Sequence, residues 1–356
     1  MNQFQTLKSD LTQSRIIDID STVIDDDEII VKIESYAFTA NNVTYGVAGD
    51  TIGYWKFFPA GYDEKNEWGC IPVWGFAEIT DSNVEGLNIG ERLFGYFPAA
   101  NSLTLKPTKI SNQSFTDGKE HRKELPSVYN NYIRLDGDQN YDASMDAIRA
   151  LLFPLHITAF CLCDALAEDA YFGASQIIII SASSKTAIGL AQGLADKDNS
   201  PKIVGLTSAR NTKFIASLGC YDQVISYDEL QNMDYSAGSI MVDMAGNREI
   251  LGKLHGELGD KMIKCLTVGM THWDNGITAD DALGQAMLRE RTEFFFAPTH
   301  IQKRIGDWGH DVYAKKTNSF MAARALQSKM WMQIKKIDGL ENFTSTYKEM
   351  VEGKIN

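Results

Sequence analysis

The stretch that decides the fold is QIIIISASSKTAIGLAQGLA at residues 176–195, followed by IVGLT at residues 203–207. Residues 177–180 are four consecutive isoleucines, and an uninterrupted β-branched run is typical of a strand buried on both faces of a parallel sheet. The small residues 181–186 predict a turn, and the apolar residues 187–195 predict a helix. Together these segments indicate one parallel βαβ unit.

The turn between this strand and this helix is a candidate phosphate site. A helix N-terminus presents unpaired N–H groups and the positive end of the helix dipole, and both attract phosphate. We therefore interpret residues 176–207 as a dinucleotide-binding crossover. Its candidate phosphate-contacting residues are Ser183, Ser184, Lys185 and Thr186.

The alternation of strand and helix patterns continues along the chain. Further strands are predicted at 223–226, 239–243, 263–268 and 294–296, and further helices at 209–218 and 247–258. Strands and helices that alternate in this way form a doubly wound, Rossmann-type parallel sheet. We predict an α/β fold with this nucleotide-binding domain over residues 142–296.

The flanking sequence predicts a second, β-rich domain. Residues 1–141 contain alternating strand patterns such as 29–36, separated by turn residues, and residues 111–123 are polar and predict an exposed loop. The tail is helical in pattern at 322–335 and 341–351 but carries no core pattern of its own. We expect residues 297–356 to fold back on residues 1–141.

Composition limits the possible partners. The chain has 356 residues, enough for about two domains, and its net charge of −13 argues against nucleic acid as a partner. No signal peptide is visible, and no apolar run approaches the roughly 20 residues that span a membrane. The five cysteines are scattered, which predicts free thiols and a reducing cytoplasm. A small-molecule substrate is the expected partner.

Four segments, in order, resemble one family. They are LHITAF at 155–160, SARN at 208–211 leading to VISY at 224–227, DMAG at 243–246 and, more loosely, NNVTY at 41–45. Their order and spacing resemble the medium-chain dehydrogenase/reductase superfamily, in particular its zinc-free quinone oxidoreductase-like branch. The resemblance implies a Rossmann domain, a GroES-like catalytic domain formed by residues 1–141 and 297–356, and a homodimer through the nucleotide-domain sheet edge.

The chain departs from that family at two motifs. The family's turn carries two or three glycines, whereas here Ser183–Ala187 take their places and only Gly189 remains. The zinc-binding motifs of related enzymes are replaced by residues 40–44 and 73–77, so we predict no zinc. Residues 184–186 are also similar to the end of a P-loop, but the preceding glycines are missing, which argues against ATP hydrolysis. A helix-capping turn that binds nothing remains an alternative.

The residues after the second strand favour NADPH over NADH. NAD-dependent enzymes usually place a carboxylate there, whereas this chain has Thr207, Ser208 and Arg210. A hydroxyl and a guanidinium bind a 2′-phosphate that a carboxylate would repel. Asn211 lies in the same segment, and the resemblance assigns Tyr227 to the same phosphate. A solvated surface arginine is the alternative for Arg210.

The remaining site residues follow from the resemblance and from the rule that ligands bind at the carboxyl ends of parallel strands. Those expected to line the nicotinamide are Thr158, Met244, Ala245, Gly269, Met270 and Thr271. Asn41, Tyr45 and Tyr54 are the candidates to polarise a substrate carbonyl, with packing as their alternative role. His156 and His272 are candidate proton donors, with a structural role as the alternative.

These observations predict a zinc-free, NADPH-dependent reductase of a small carbonyl, enone or quinone. The nicotinamide carries the hydride and the protein supplies orientation. The expected site is a cleft between the two domains. The alternative is a catalytically silent, reductase-like protein that binds nucleotide or serves as an interaction partner.

Overall fold

The computed structural model describes residues 1–20, 23–138, 141–244, 246–268 and 289–354. Contacts divide the chain into unit 1, residues 1–153 with 331–356, and unit 2, residues 154–330. The predicted limits were 1–141 with 297–356, and 142–296. The main difference is that residues 297–330 belong to unit 2.

The structure contains sixteen described strands and eight described α-helices. The strands of unit 1 are β1 (Asn2–Leu7), β2 (Asp10–Asp18), β3 (Ile29–Ala37), β4 (Trp68–Gly69), β5 (Pro72–Ser82), β6 (Arg92–Pro98), β7 (Ser102–Leu105), β8 (Pro107–Thr108), β9 (Ser114–Asp117) and β10 (Asn131–Arg134). Those of unit 2 are β11 (Gln176–Ile180), β12 (Lys202–Thr207), β13 (Gln223–Ser226), β14 (Ser239–Asp243), β15 (Met262–Thr267) and β16 (Thr292–Phe294). The helices are α1 (Ala40–Val47), α2 (Asp146–Glu168), α3 (Lys185–Ala195), α4 (Thr212–Ser217), α5 (Arg248–Leu258), α6 (Ala297–Trp308), α7 (His310–Ser328) and α8 (Leu340–Val351).

Unit 1 is the β-rich part of the chain. Its strands form a three-stranded sheet in the order β2-β1-β4 and a seven-stranded sheet in the order β7-β3-β5-β6-β10-β9-β8. The C-terminal helix α8 packs on the smaller sheet, because Phe343 and Tyr347 lie edge-on to the ring of Phe4 at 5.0 and 4.8 Å. Tyr347 also donates a hydrogen bond to the carbonyl of Leu11. The C-terminal residues therefore complete the core of unit 1.

The exposed loop predicted for residues 111–123 is wrong. This segment contains β9, which pairs with β10, and its Phe115 side chain is fully buried. Asp117 and Arg122 are also buried and form an ion pair of 2.8 Å. A strand of four residues with polar neighbours gives no clear period, so the pattern did not reveal it.

Arg122 is satisfied on all sides by unit 1. Besides Asp117, its guanidinium donates to the hydroxyl of Tyr132 at 2.9 Å, the side-chain oxygen of Asn130 at 2.9 Å and the carbonyl of Tyr129 at 2.8 Å. A buried charge is tolerated only with such partners. The guanidinium therefore joins β9 to the residues that lead into β10.

Unit 2 contains the predicted doubly wound sheet. Its six strands are all parallel and lie in the order β13-β12-β11-β14-β15-β16. Numbered from β11, this is the order 3-2-1-4-5-6 of dinucleotide-binding folds. The strands predicted at 223–226 and 239–243 match at both ends, and the sixth lies two residues earlier than predicted.

The isoleucine run is buried on both faces, as predicted. Ile177 and Ile179 pack in one core cluster with residues of α2 and α3, whereas Ile178 and Ile180 pack in a second cluster with α5. Successive side chains of a strand point to opposite faces, so each helix layer covers one face of the sheet. The run of β-branched residues is thus explained by burial on both sides.

The expectation that no apolar stretch approaches the length needed to span a membrane is wrong for the segment that contains α2. Residues 143–168 form a helical stretch that is long and apolar enough to cross a membrane, and 56% of its most apolar window is buried within the protein. Glycines of α3 lie against it: a Cβ at Gly189 would come within 3.2 Å of Ala159, and one at Gly193 within 2.6 Å of the Cys163 sulfur. Packing accounts for much of its apolar surface.

Ion pairs attach α6 and α7 to the helices of unit 2. Asp164 of α2 accepts from Arg304 at 2.5 Å and contacts His300 at 2.8 Å. Arg324 of α7 is buried and pairs with Asp196, just after α3. These contacts explain why residues 297–330 belong to unit 2 rather than to the β-rich unit.

Candidate functional site

The carboxyl ends of β11 and β14 lie side by side at the centre of the sheet in unit 2. Ile180 and Asp243 are paired in register, and Met244 donates a backbone hydrogen bond to Ile180 at 3.4 Å. From here the chain leaves β11 towards β12 on one side and leaves β14 towards β15 on the other. Ligands of open α/β sheets bind at such a switch point.

The turn after β11 is shaped by backbone bonds and two phenols. Ser181 has a φ of +62°, a left-handed conformation that is uncommon for a residue other than glycine. Its N–H donates to the hydroxyl of Tyr227 at 3.0 Å. Ala182 donates to the carbonyl of Leu206 at 2.9 Å and accepts from the hydroxyl of Tyr221 at 3.0 Å. The turn is therefore fixed by β12 and by residues that flank β13.

The two serines predicted to contact phosphate bond to unit 2 itself. The Ser183 hydroxyl accepts from Asn211 at 3.0 Å and lies 3.3 Å from the hydroxyl of Thr207. The Ser184 hydroxyl is the N-cap of α3 and accepts from Ala187 N–H at 3.2 Å. Both side chains thus stabilise the turn, and the capping role matches the alternative considered from the sequence.

Donor groups without a described partner remain at Lys185 and Thr186. Their backbone N–H groups are the first two of α3. The first N–H groups of a helix have no helical carbonyl to donate to, and no described group accepts from these two. The Lys185 side chain is half-buried and forms no ion pair with the described residues. Burial lowers the pKa of its ammonium from the usual 10.5. A phosphate would satisfy both N–H groups and the ammonium, so the residues present fit this group.

The residues after β12 lie beside the same turn. Ser208 precedes a short helical turn at Ala209–Asn211, and Asn211 is the residue that bonds to Ser183. Arg210 is exposed and has no hydrogen bond or ion pair with the described part of the chain. Asn211 and Tyr227 are thus bonded to the turn, and Ser208 and Arg210 lie in the same short segment as Asn211. This arrangement leaves the Arg210 guanidinium available to an anion.

The predicted nicotinamide-lining set is only partly described. Met244 directly follows β14, and Thr158 is a half-buried residue of α2 whose hydroxyl donates to the Pro154 carbonyl at 2.8 Å. Four predicted members and one candidate proton donor lie outside the described residues: Ala245, Gly269, Met270, Thr271 and His272.

Two groups near this end of the sheet have structural explanations. His156 is 3% exposed, and burial with the nearby positive charge of Arg324 lowers its pKa to about 4, so it is neutral at pH 7. Asp243, which sequence reasoning did not select, is fully buried and accepts from Gly246 N–H at 2.9 Å. Its carboxylate stabilises the chain after β14. The sequence feature that could have identified it is an acidic residue at the very end of an apolar strand.

The candidate carbonyl-polarising residues lie together in unit 1. Asn41 and Tyr45 belong to α1, and Tyr54 begins a short helical turn. The rings of Tyr45 and Tyr54 are 4.4 Å apart, and the Asn41 side chain offsets only part of the rise that burial causes in the pKa of the Tyr45 phenol. The hydroxyl of Tyr54 lies 3.2 Å from that of Tyr129, which the sequence did not single out. Burial raises the pKa of both Tyr45 and Tyr54, so both phenols stay protonated.

Within the described ranges, no three His, Cys, Asp or Glu side chains are grouped so as to hold a metal ion. All five cysteines are buried and free. The candidate chemistry of the described residues therefore involves hydrogen-bond donors and two cations.

Comparison with known proteins supports the fold. A family model described as "Protein of unknown function (DUF2855)" matches residues 36–356. No curated protein matches the chain. Among solved structures, CurA from Vibrio vulnificus in complex with NADPH has a TM-score of 0.60 at 12% identity, with 99% of this chain and 96% of that chain covered.

Two further solved structures show the same likeness. The Etr1p/NADP/crotonyl-CoA complex has a TM-score of 0.55 at 13% identity, covering 99% of this chain and 97% of that chain. The yhdH oxidoreductase from Salmonella enterica in complex with NADP has a TM-score of 0.52 at 12% identity, covering 100% and 98%. The likeness confirms the predicted combination of Rossmann-type and GroES-like folds found in medium-chain dehydrogenases/reductases.

Proposed function

The chain belongs to the DUF2855 family, and we propose that it is an NADPH-dependent oxidoreductase that reduces a small carbonyl, enone or quinone. The observation that carries this proposal is the turn after β11. It lies at the switch point of a 3-2-1-4-5-6 sheet, and the N–H groups of Lys185 and Thr186 and the Lys185 ammonium have no partner among the described residues. Such an arrangement suits the pyrophosphate of a dinucleotide.

The residues that would contact the 2′ position of the adenosine ribose favour NADPH over NADH. Arg210 and Ser208 follow β12, where a carboxylate would select NADH. The Arg210 guanidinium has no described partner, so its charge is available to a 2′-phosphate. CurA, Etr1p and yhdH were solved with NADPH or NADP, which is consistent with this choice.

The substrate side of the proposal involves unit 1. When bound, the cofactor supplies the hydride. Tyr45 and Tyr54 would donate hydrogen bonds to the substrate carbonyl, because burial keeps both phenols protonated. Asn41 would orient Tyr45. The Etr1p complex contains crotonyl-CoA, an α,β-unsaturated carbonyl compound, which supports this substrate class. No zinc is needed for this role.

A homodimer is part of the proposal. Strand β16 lies at the edge of the unit 2 sheet and Phe294 on it is 40% exposed. Edge strands have unpaired backbone groups that a second copy can pair with. Light scattering after size exclusion, with Glu293→Pro as the disrupting variant, tests this assembly.

The alternative is a reductase-like protein without catalysis. It is favoured by the turn after β11, in which the hydroxyls of Ser183 and Ser184 and the N–H of Ser181 are already bonded within unit 2. A turn satisfied in this way is stable without a ligand. Such a protein would bind nucleotide without turning it over, or would neither bind nucleotide nor catalyse a reaction.

A titration of NADPH and NADH against intrinsic fluorescence tests the proposal, followed by duroquinone and isophorone as oxidants. We expect NADPH to bind and to be oxidised. Arg210→Ala should weaken NADPH about tenfold, the effect of losing one charge-assisted hydrogen bond, and leave NADH unchanged. Lys213→Ala removes a nearby exposed cation and is the control. Binding without oxidation supports the silent alternative, whereas no binding of either nucleotide, with Arg210→Ala silent, overturns the proposed reductase and every claim of a bound cofactor.

A further inference from the structure

A cavity of about 610 Å³ lies within unit 2, among the helices α2, α3 and α7. Its volume falls in the range of about 300–1,000 Å³ that small-molecule sites occupy in proteins. Gly193 of α3 is one of its lining residues and follows Lys185 in the same helix. At about 1.5 Å per residue, the two positions are roughly 12 Å apart along the helix, so the cavity is separate from the turn after β11.

The walls of this cavity are mainly apolar. Phe160 of α2 and Phe320 of α7 both line it, and their rings lie edge to face with centroids 5.6 Å apart. Gly193 lets the Phe320 ring approach α3, because a Cβ at this position would come within 2.5 Å of that ring. Val312, also on α7, lines the cavity and is 46% exposed. An apolar ligand would remove part of this surface from water, which favours binding.

Three lysines also line the cavity, and none of them forms an ion pair with a described residue: Lys197, Lys315 and Lys316. The ammonium of Lys316 lies 4.3 Å from the centroid of the Trp308 ring, a cation–π contact that positions the charge without neutralising it. The whole chain carries a net charge of −13. Three such cations at one cavity of an acidic protein form a local positive region that attracts anions.

The acidic groups next to these lysines are already paired. Asp164, an acidic residue that lines the cavity, accepts from Arg304 at 2.5 Å and lies 2.8 Å from His300. Asp196, which directly precedes the first of the three lysines, accepts from the buried Arg324. Both carboxylates therefore have their own cations and leave the charge of the lysines in place. A negative charge on a ligand would serve as the counter-ion.

We propose that this cavity binds an amphipathic carboxylate, namely a fatty acid of medium chain length. Its hydrocarbon chain packs against Phe160, Val312 and Phe320, and its carboxylate pairs with the ammonium groups of the three lysines. A free phosphate would leave the apolar walls in contact with water, and a neutral hydrocarbon would leave the lysines without a counter-ion. The site goes beyond the proposed reductase function, because it contains none of the residues assigned to cofactor or substrate.

Calorimetric titration of the full chain with three probes tests the ligand chemistry. Octanoate has both a hydrocarbon chain and a carboxylate, octan-1-ol lacks the charge, and acetate lacks the chain. We expect octanoate to bind about tenfold more tightly than octan-1-ol, the effect of a few exposed ion pairs, and acetate not to bind measurably. Equal affinities for octanoate and octan-1-ol, or no binding of octanoate, would overturn the inference.

A charge variant tests the lysines. The triple variant Lys197→Gln, Lys315→Gln and Lys316→Gln should bind octanoate about tenfold more weakly than the parent and octan-1-ol equally well. The control makes the same change in net charge at exposed lysines that do not line the cavity: Lys213→Gln, Lys253→Gln and Lys335→Gln. It should bind octanoate like the parent. Equal losses in the two triple variants would mean a general effect of net charge and would overturn the inference.

A steric variant tests the cavity itself. Ala167 of α2 lines the cavity and is exposed, so Ala167→Trp can fill the space without disturbing a buried contact. It should abolish the binding of octanoate and of octan-1-ol, while its unfolding temperature matches that of the parent. Retained octanoate binding by Ala167→Trp would place the ligand elsewhere and would overturn the inference. These titrations contain no nucleotide, so their outcome does not depend on the proposed reductase activity.

Discussion

The hydroxyl of Tyr227 accepts a hydrogen bond of 3.0 Å from the backbone N–H of Ser181, which joins the residue after β13 to the first residue after β11. The family resemblance assigns Tyr227 to the 2′-phosphate of the cofactor. Its acceptor lone pair is used by the turn, and its own O–H proton remains for a ligand. Tyr227 therefore supports the turn after β11 and keeps a proton that it could donate to a phosphate under the proposed function.

Tyr227→Phe should affect both stability and cofactor affinity. Losing one hydrogen bond costs about 1 kcal/mol in the free energy of unfolding, and NADPH should bind roughly threefold to tenfold more weakly because Ser181 is released. The control is Tyr235→Phe, which loses a 2.9 Å bond to Leu230 away from the turn. Urea unfolding and NADPH titration of both variants check this. Equal NADPH affinities would contradict the role of Tyr227.

The affinity for NADPH should fall at alkaline pH because of Lys185. Burial lowers the pKa of its ammonium from 10.5, and a bound phosphate would raise that pKa. Binding is therefore strongest below the lowered pKa and weakens as pH rises through it. Lys185→Arg keeps its charge and should flatten the profile, whereas Lys185→Met should bind about tenfold more weakly at neutral pH. Identical profiles for the parent and Lys185→Arg would exclude this role.

The buried pair of Arg122 and Asp117 should be important for the stability of unit 1. Arg122→Met leaves a carboxylate buried without its cation and should cost about 3–5 kcal/mol in the free energy of unfolding. Adding Asp117→Asn removes the unpaired charge, so the double variant should lose less than the sum of the single losses. Urea denaturation of the three variants measures this coupling. Strict additivity would show that the pair is not coupled.

Acid should destabilise unit 2 through His156. Its folded pKa is about 4 and its ordinary value is 6.5, so between these values the unfolded chain binds the extra proton. Stability from this residue is complete above 6.5 and is lost as pH falls towards 4, by about 3 kcal/mol in total. His156→Gln should show a shallower decline, with exposed His310→Gln as control. Parallel pH curves for all three proteins would refute this.

The sheet of unit 2 could be predicted because each of its buried strands shows as one continuous apolar segment of the sequence. The isoleucine run of β11 and the limits of β13 and β14 follow from apolar residues bounded by small or polar ones. By contrast, β9 contains only four residues, and its burial depends on the hydrogen bonds that Arg122 donates to Asp117 and Tyr132. Such contacts depend on the tertiary structure, which no local pattern contains.

The strand ends that carry the candidate site residues could be predicted, but the side-chain contacts around them could not, and nucleotide binding there stays a prediction. The sequence located the turn after β11 and the neighbouring Arg210, since strand ends determine where ligands meet a parallel sheet. It did not reveal that Ser183 would bond to Asn211 or that Ser184 would cap α3, because both depend on side-chain direction.

The left-handed backbone of Ser181 changes how the scarcity of glycine in the turn should be understood. Glycine would adopt this conformation freely, but it would also give the unfolded or unliganded turn many others. Ser181 has a small conformational cost in the left-handed region, and its hydrogen bond to Tyr227 keeps it in that conformation before any ligand binds. A ligand would then bind a preorganised loop, and binding would cost little further conformational entropy of the backbone. Replacing Ser181 with glycine would make the loop more mobile and would not increase its affinity for a ligand.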